Sequence, residues 1–497
     1  MSFDHDASLP LISGNDILLP SHVATVEPRR RIAAALADAF GRWLVPSCAL
    51  LLAACTWYRP EPLTRHDTSI TANAMARIRI DSSTMPLPSL AAHRFDPSNG
   101  LDIEDVAMLA VVNNPDLKLA RDDLGIARAQ AFSAGLLPDP QLSASSDFPG
   151  AAGFSRAFSY GLSMDLMAIV TRGANRRSAE AGAAKVDLGL LWQEWQVIAE
   201  AKQLYLKASL SAQVLPLLKQ QFELARQRYQ RTENALNAHG VTEDAWAATL
   251  LAYSDARKQY DEAERTAEQT HHDLNALLGL SSDVQLRLKG LDDVAPVADK
   301  DIQDAVSALP ARRPDLVALQ AGYASQEEKY RAAVLSQFPS LSVGFVRARD
   351  TSETYTSGFQ INLTLPIFNR NRGNIAIERA TRTRLRDEYQ MRVNQAYADV
   401  AHLRADVAIL EGELRRAQNA LPGAEAAARN AERAYAEHEL TLGAYVDAMN
   451  ASLTKRIDVA TLRESLAEQR IALQALLGSA IPDSLNPGHR FAQSHAK

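Results

Sequence analysis

Sulfur is scarce in this sequence. Among 497 residues there are two cysteines, Cys48 and Cys55, and eight methionines. Two cysteines so close together near the N-terminus exclude a disulfide scaffold and any thiolate zinc cluster further along the chain. The scattered methionines leave no soft-metal relay. Long apolar runs are missing as well: no stretch of about 18 apolar residues occurs, which excludes a conventional bundle of membrane-crossing helices. A β-barrel survives that test, because its strands are short and only half apolar. Positive charge is not in excess either; the net charge of −6 argues against a nucleic-acid binder. Nor is there a Gly-x-Ser-x-Gly, a His-Glu-x-x-His, a phosphate-binding Gly loop or a dinucleotide fingerprint. No catalytic residue and no metal site are therefore expected, and His271-His272, with no third ligand nearby, reads as an exposed helix face.

What the chain does have begins with an address. Arg29-Arg30-Arg31 and Arg42 precede a short apolar stretch, Trp43 to Ala54, which ends in Leu52-Ala53-Ala54-Cys55. A basic segment, a short apolar core and small residues make a secretory signal. Leu-Ala-Ala-Cys resembles the bacterial lipobox, in which Cys55 is acylated and becomes the first mature residue; the bland alternative is a short buried helix with an incidental cysteine. The resemblance implies a covalent lipid on Cys55 and no other cofactor. It also implies the outer membrane, because Thr56 stands where bacterial lipoproteins retained in the inner membrane favour Asp.

The rest is written twice. Pro115-Asp116-Leu117 recurs as Pro314-Asp315-Leu316, Pro140-x-Leu142-Ser143 as Pro339-x-Leu341-Ser342, and Leu274-x-Ala276-Leu277-Leu278-Gly279 as Leu473-x-Ala475-Leu476-Leu477-Gly478, each 199 residues later. Leu215-Pro216 with Tyr229 is echoed by Leu421-Pro422 with Tyr435, at an offset of 206. So long a period is no solenoid; it is a duplicated domain-sized unit.

Each unit is predicted to open with a helix, roughly Ile103 to Gly135 and Ile302 to Gln337. A β region follows, then a very long helix, a break and a returning helix. Tyr389, Val393, Ala396, Val400, Leu403, Val407, Leu410, Leu414, Ala417 and Leu421 step by fours and threes, the seam of coiled-coil packing. At ~1.5 Å per residue, Asn374 to His438 would span roughly 100 Å. Leu191, Trp195, Ile198, Tyr205 and Ala208 form a looser seam in the first copy. Pro216 and Pro422-Gly423 are expected to weaken the two long helices locally.

The β segments alternate with period two. Tyr160, Leu162, Met164 and Leu166 share one face against Ser159, Gly161, Ser163 and Asp165; Phe359, Ile361, Leu363 and Leu365 oppose Gln360, Asn362 and Thr364. A small sheet lying on a soluble core would alternate in the same way. Each copy supplies one hairpin, hence four strands per chain. A closed barrel needs about eight, and an open edge in lipid leaves backbone groups unsatisfied at several kcal/mol each. Membrane insertion thus demands more than one chain. Leu162, Met164, Phe359, Ile361 and Leu363 would then meet lipid.

The duplicated Asn114 to Leu117 and Arg313 to Leu316 segments, the Pro-x-Leu-Ser strand starts, the junction Leu365-Pro366-Ile367-Phe368-Asn369-Arg370-Asn371-Arg372-Gly373-Asn374 and the lipobox resemble the TolC-type outer-membrane factors of tripartite efflux and secretion systems. The resemblance spans about Leu101 to Gly478, and the junction looks most like the branch paired with heavy-metal resistance-nodulation-division pumps (CusC- and CzcC-like). It implies a mainly α fold with a membrane β-barrel part: a homotrimer whose twelve strands close one outer-membrane barrel, continued by twelve helices as a periplasmic α-barrel. It further implies partners, a periplasmic adaptor (membrane fusion) protein and an inner-membrane RND-type pump, with metal cations as one candidate cargo.

On that reading the chain divides at 1–54 (lipoprotein signal), 55–100 (lipid-anchored extended segment), 101–280 (first repeat, hairpin about 140–166), 281–301 (equatorial linker), 302–478 (second repeat, hairpin about 339–366) and 479–497 (C-terminal tail). The adaptor-contact tips would be Gly240, Val241 and Thr242 in the first repeat and Gly443, Ala444 and Tyr445 in the second, each with a glycine for the sharp turn. Asp447 and Asn450 match the family's two acidic ring positions at the closed entrance. With Asn450 in the second position one ring is missing, and Asp447 has the alternative of being a solvated helix-start residue. An Arg that often locks the family's tip is replaced here by Tyr445. The competing class of function is a lipid-anchored periplasmic coiled-coil adaptor or scaffold with no pore of its own.

Overall fold

The duplicated capping segments set where helices start and stop. In the computed structural model, which describes residues 58–478 except 76, 151–152 and 291–293, Asn114 ends helix α1 (Ile103–Asn113) and starts α2 (Pro115–Ala134). Its side chain accepts from the Leu117 amide, and Pro115 follows in the first turn, where the missing N–H costs nothing. One predicted helix is therefore two. The second copy breaks likewise, into α3 (Asp299–Ser307), a single turn at Leu309–Arg312, and α4 (Pro314–Leu335). Cys55, the signal segment and the tail 479–497 lie outside the described residues.

Between these helices and the returning ones run the strands β1 (Gln141–Asp147), β2 (Ala157–Asp165), β3 (Ser340–Arg349) and β4 (Tyr355–Thr364). The two hairpins join through β2 and β3 into one antiparallel sheet of order β1-β2-β3-β4. The long helices are α5 (Leu166–Asn237) and α6 (Glu243–Leu277) in the first repeat, and α7 (Arg372–Ala436) and α8 (Leu442–Leu477) in the second. Their 72 and 65 residues for α5 and α7 correspond to lengths of roughly 100 Å. Both continue through their internal proline, Pro216 and Pro422. A neighbouring helix holds each in place, α6 and α8 along α5 and α8 along α7, so one lost backbone bond does not end them. No described helix is long and apolar enough to cross a membrane.

The chain divides into two compact units, residues 1–68 and 69–497; the described part of the first, residues 58–68, contains no helix or strand. In the second, the duplication is visible in the packing. Ile103, Val106, Ala110, Ala201, Leu274 and Leu278 meet in one core, and their partners 199 residues on, Ile302, Ala305, Leu309, Val400, Leu473 and Leu477, meet in another. Both returning helices close on a left-handed glycine, Gly279 at φ +63° and Gly478 at φ +75°. A Cβ on Gly279 would lie 2.7 Å from the Asn113 carbonyl, and one on Gly478 3.1 Å from that of Arg312, the equivalent residue. Across the repeats α5 and α4 approach through small side chains. Ser178 donates to the Ser325 carbonyl at 3.0 Å and Ser325 returns the bond at 2.8 Å.

Segment 281–290 is tied down rather than free. Ile70 bridges Leu280 and Leu101 bridges Leu288, both in parallel. His271, expected on an exposed face, is half-buried instead: its Nε2–H donates to the Val284 carbonyl at 2.8 Å, so it holds this segment to α6.

Candidate functional site

Register decides what the sheet can do. Opposed residues share a face, and the row Leu142–Leu162–Phe345–Phe359 is continued by Met164–Val343–Ile361 and Leu341–Leu363. Four expected lipid-facing residues, Leu162, Phe359, Ile361 and Leu363, are exposed on this face, Phe359 at 92%, and Met164 is half-buried on it. The opposite face carries Gln141, Ser143, Ser159, Ser163, Ser342, Gln360, Asn362 and Thr364. Leu166 and Leu365, expected to extend the apolar face, fall outside the strands. Leu166 starts α5, because Asp165 caps it by accepting from the Met167 and Ala168 amides. Leu365 begins a non-helical junction that ends in two left-handed residues, Arg370 and Asn371, the latter anchored by its Nδ2–H to the Ala333 carbonyl at 2.8 Å. Strands β1 and β4 each leave one edge free in the single chain.

At the far end of the long helices lie the two turns. The glycines are not what bends them. The left-handed residues are His239 and His438, 199 apart, at φ 56° and 60°; histidine is among the residues that tolerate this conformation. Helix ends are closed by bonds from Gly240 to the Ala235 carbonyl and from Glu439 to the Ala434 carbonyl. Gly443 lies one residue inside α8. Thr242 and Thr441 cap the returning helices, accepting from the Ala245 and Ala444 amides. Val241 is half-buried and Ala444 exposed.

The tip also contains the arginine that the local sequence lacks. Arg228, from α5 of the first repeat, reaches across to Asp447 at 2.7 Å. Asp447 remains 66% exposed, so its charge is both partnered and open to water. Tyr445 stacks on Tyr435 with centroids 4.7 Å apart, and the Tyr435 hydroxyl accepts from Arg231. Burial, together with Glu432 and Tyr435 nearby, pushes the Tyr445 hydroxyl up from its ordinary pKa. Asn450 is half-buried, and its Oδ1 is buried without a hydrogen-bond partner. Beneath these groups Leu224, Val446 and Leu453 pack α5 against α8. A contact 219 residues apart leaves no local signal, which is why Arg228 escapes a reading of the sequence.

Among the described residues one cluster has metal-ligand chemistry, His93 with Asp102 and Asp105. Lys289 already answers it: its ammonium lies 3.3 Å from Asp102 and 3.6 Å from Asp105. Burial works against the Asp102 carboxylate, yet the Asp105 amide, His93 and Lys289 together hold its pKa below the ordinary value. The group clasps the N-terminal segment, α1 and segment 281–290 together, and it joins neither the sheet nor the tips.

Residues 305–479 match the family model described as outer membrane efflux protein. No curated protein sequence matches the chain. Among solved structures it is similar to CusC, with 20% identity, 80% of this chain and 97% of that one covered, and a TM-score of 0.61. It is also similar to the CmeC outer membrane channel of Campylobacter jejuni, with 18% identity, 88% and 97% covered, and a TM-score of 0.65. A third is the open-state MtrE outer membrane channel of Neisseria gonorrhoeae, with 19% identity, 76% and 89% covered, and a TM-score of 0.60. The three likenesses are nearly equal, so the fold does not single out the heavy-metal branch. The outer membrane efflux protein model thus matches most of the second repeat, and the described chain shares the fold of these solved outer-membrane channels.

Proposed function

We propose that the chain is the outer-membrane exit duct of a tripartite efflux system, passively conducting substrate that an inner-membrane RND-type pump and a periplasmic adaptor deliver. The observation that carries this reading is the sheet, with one exposed apolar face, one hydroxyl- and amide-rich face, and two open edges on four strands. Three copies would bring twelve strands, enough to close a barrel whose polar face lines a wet channel. A lipid-anchored scaffold without a pore would have no use for such a face, and its sheet would rest on a core of its own. The lipid on Cys55 is a second hold on the membrane, and the helix turns at Gly240–Thr242 and Thr441–Tyr445 are the surfaces offered to the adaptor. Asp447, held by Arg228, stands at the entrance as one acidic ring, with Asn450 in place of the second. Cargo choice belongs to the pump, and metal cations remain one class among several.

Fractionation of cells expressing Cys55→Ala tests this directly. The variant should still require detergent for extraction, because the sheet rather than the acyl chain holds it. Release into detergent-free buffer as a soluble monomer would overturn the duct.

A further inference from the structure

The apolar face of the sheet ends in arginines. Beyond Phe345 the next two rows on the same face are Ala144–Tyr160–Arg347–Ser357 and Ser146–Phe158–Arg349–Tyr355, at the end where the hairpins turn and farthest from the helices. With a strand rise of ~3.3 Å and a tilt near 40°, Arg347 stands about 15 Å above the Leu341 row. An apolar band of this kind is about 25 Å tall, and exposed Ile367 and Phe368 follow β4 on the helix side, so Arg347 stands toward the opposite, upper boundary. Phe158, Tyr160 and Tyr355 at this level are the aromatic residues that mark a membrane–water boundary.

The charges at this level do not balance. Arg349 is paired with Glu353 at 2.7 Å and lies over the Tyr355 ring. Glu353 also accepts from Ser155, while Asp350 is taken up by the Ser352 and Thr354 amides of its own turn. Arg347 is exposed and forms no ion pair or hydrogen bond among the described residues. The only carboxylates within the four strands, Asp147 and Asp165, belong to the polar face. A neighbouring copy, bringing the same four strands, therefore adds no strand carboxylate to the lipid side. Arg156, beside the same level and stacked on Phe148, is equally without an acidic partner among the described residues.

We propose that Arg347, supported by Arg156, binds the phosphate groups of an anionic lipid in the outer leaflet, as a ring of sites around the barrel. The inference rests on the membrane reading above and deepens it by naming the lipid chemistry the wall selects. An arginine fork satisfies two phosphate oxygens at once, while its aliphatic stem lies along the apolar face and its head reaches outward to the interface.

The test uses the full-length protein reconstituted in phosphatidylcholine vesicles containing either bisphosphorylated lipid A or the same lipid A with both phosphates removed. Native mass spectrometry after release then counts the lipid A retained. Retention should favour the phosphorylated form, fall about fivefold for Arg347→Gln and about twofold for Arg347→Lys, which keeps the charge but loses the fork. Equal retention of the two lipids, or an Arg347→Gln variant that is embedded and retains as much, would overturn the proposal. So would equal stabilisation of the detergent-solubilised protein by inorganic phosphate alone, since a free anion would then suffice. A chain that leaves the vesicles in detergent-free buffer would instead remove the membrane reading on which the inference rests.

Discussion

At an offset of 199 residues the two repeats can be compared position by position: their cores and the backbone of their tip turns agree, while the sheet junctions and the side chains at the tip differ. The equivalent cores, the two closing glycines and the two threonine caps coincide. At the sheet end, the first repeat passes from strand to helix without a residue between, whereas the second inserts seven, Leu365 to Asn371, before α7 begins at Arg372. At the tip, the first repeat joins its helices by a run of rings, Tyr260–Phe222–Tyr253–Tyr229–Trp246, while the second has the single stack Tyr435–Tyr445. Packed interiors tolerate little change in volume, so the middle kept its spacing. On the proposed function the ends face lipid or a partner and were free to specialise, and the tip charge pair is made only by combining the repeats, Arg228 from one copy with Asp447 from the other.

The largest effect expected from breaking this comparison lies in the sheet. Leu363→Arg places a charge on the apolar face and should cost about 2–4 kcal/mol per chain, abolishing assembly in the membrane fraction, while Asn362→Arg on the polar face is tolerated. Equal tolerance would reverse the assignment of faces. Next come the paired glycines. Gly279→Ala meets a carbonyl at 2.7 Å and should cost about 2–4 kcal/mol, against about 1–2 kcal/mol for Gly478→Ala, whose nearest neighbour is at 3.1 Å. Denaturation midpoints in the same detergent measure both, and the reverse order would show that the two closures are not equivalent. Smallest in stability is Arg228→Ala, about 0–1 kcal/mol for so exposed a pair. It should nonetheless raise cation preference in bilayer recordings, by freeing Asp447; an unchanged reversal potential would remove Asp447 from the ion path.

Much of the fold was legible because it is local and repeated. The heptad seam on α7 is buried or half-buried at every position, Tyr389 to Leu421, and period-two alternation located all four strands. What was not legible depends on distance or on backbone detail. Asn114 reads as the interior of a helix until its side chain is seen turning back to Leu117. The tip turns seemed to belong to Gly240 and Gly443, yet the left-handed residues are two histidines, since a helix can end on any residue that tolerates positive φ. Pro216 and Pro422 read as local weak points that neighbouring helices can support, and both helices do run on through them. The joining of the two hairpins through β2 and β3 was also invisible, because no pattern within one strand names its neighbour.

Closure of the wall by identical copies is the claim on which the rest depends, and the mass of the detergent-solubilised particle tests it. Native mass spectrometry of the purified protein should give a complex of three chains that stays together until the detergent is stripped under denaturing conditions. A particle of one chain, stable and soluble without detergent, would contradict it.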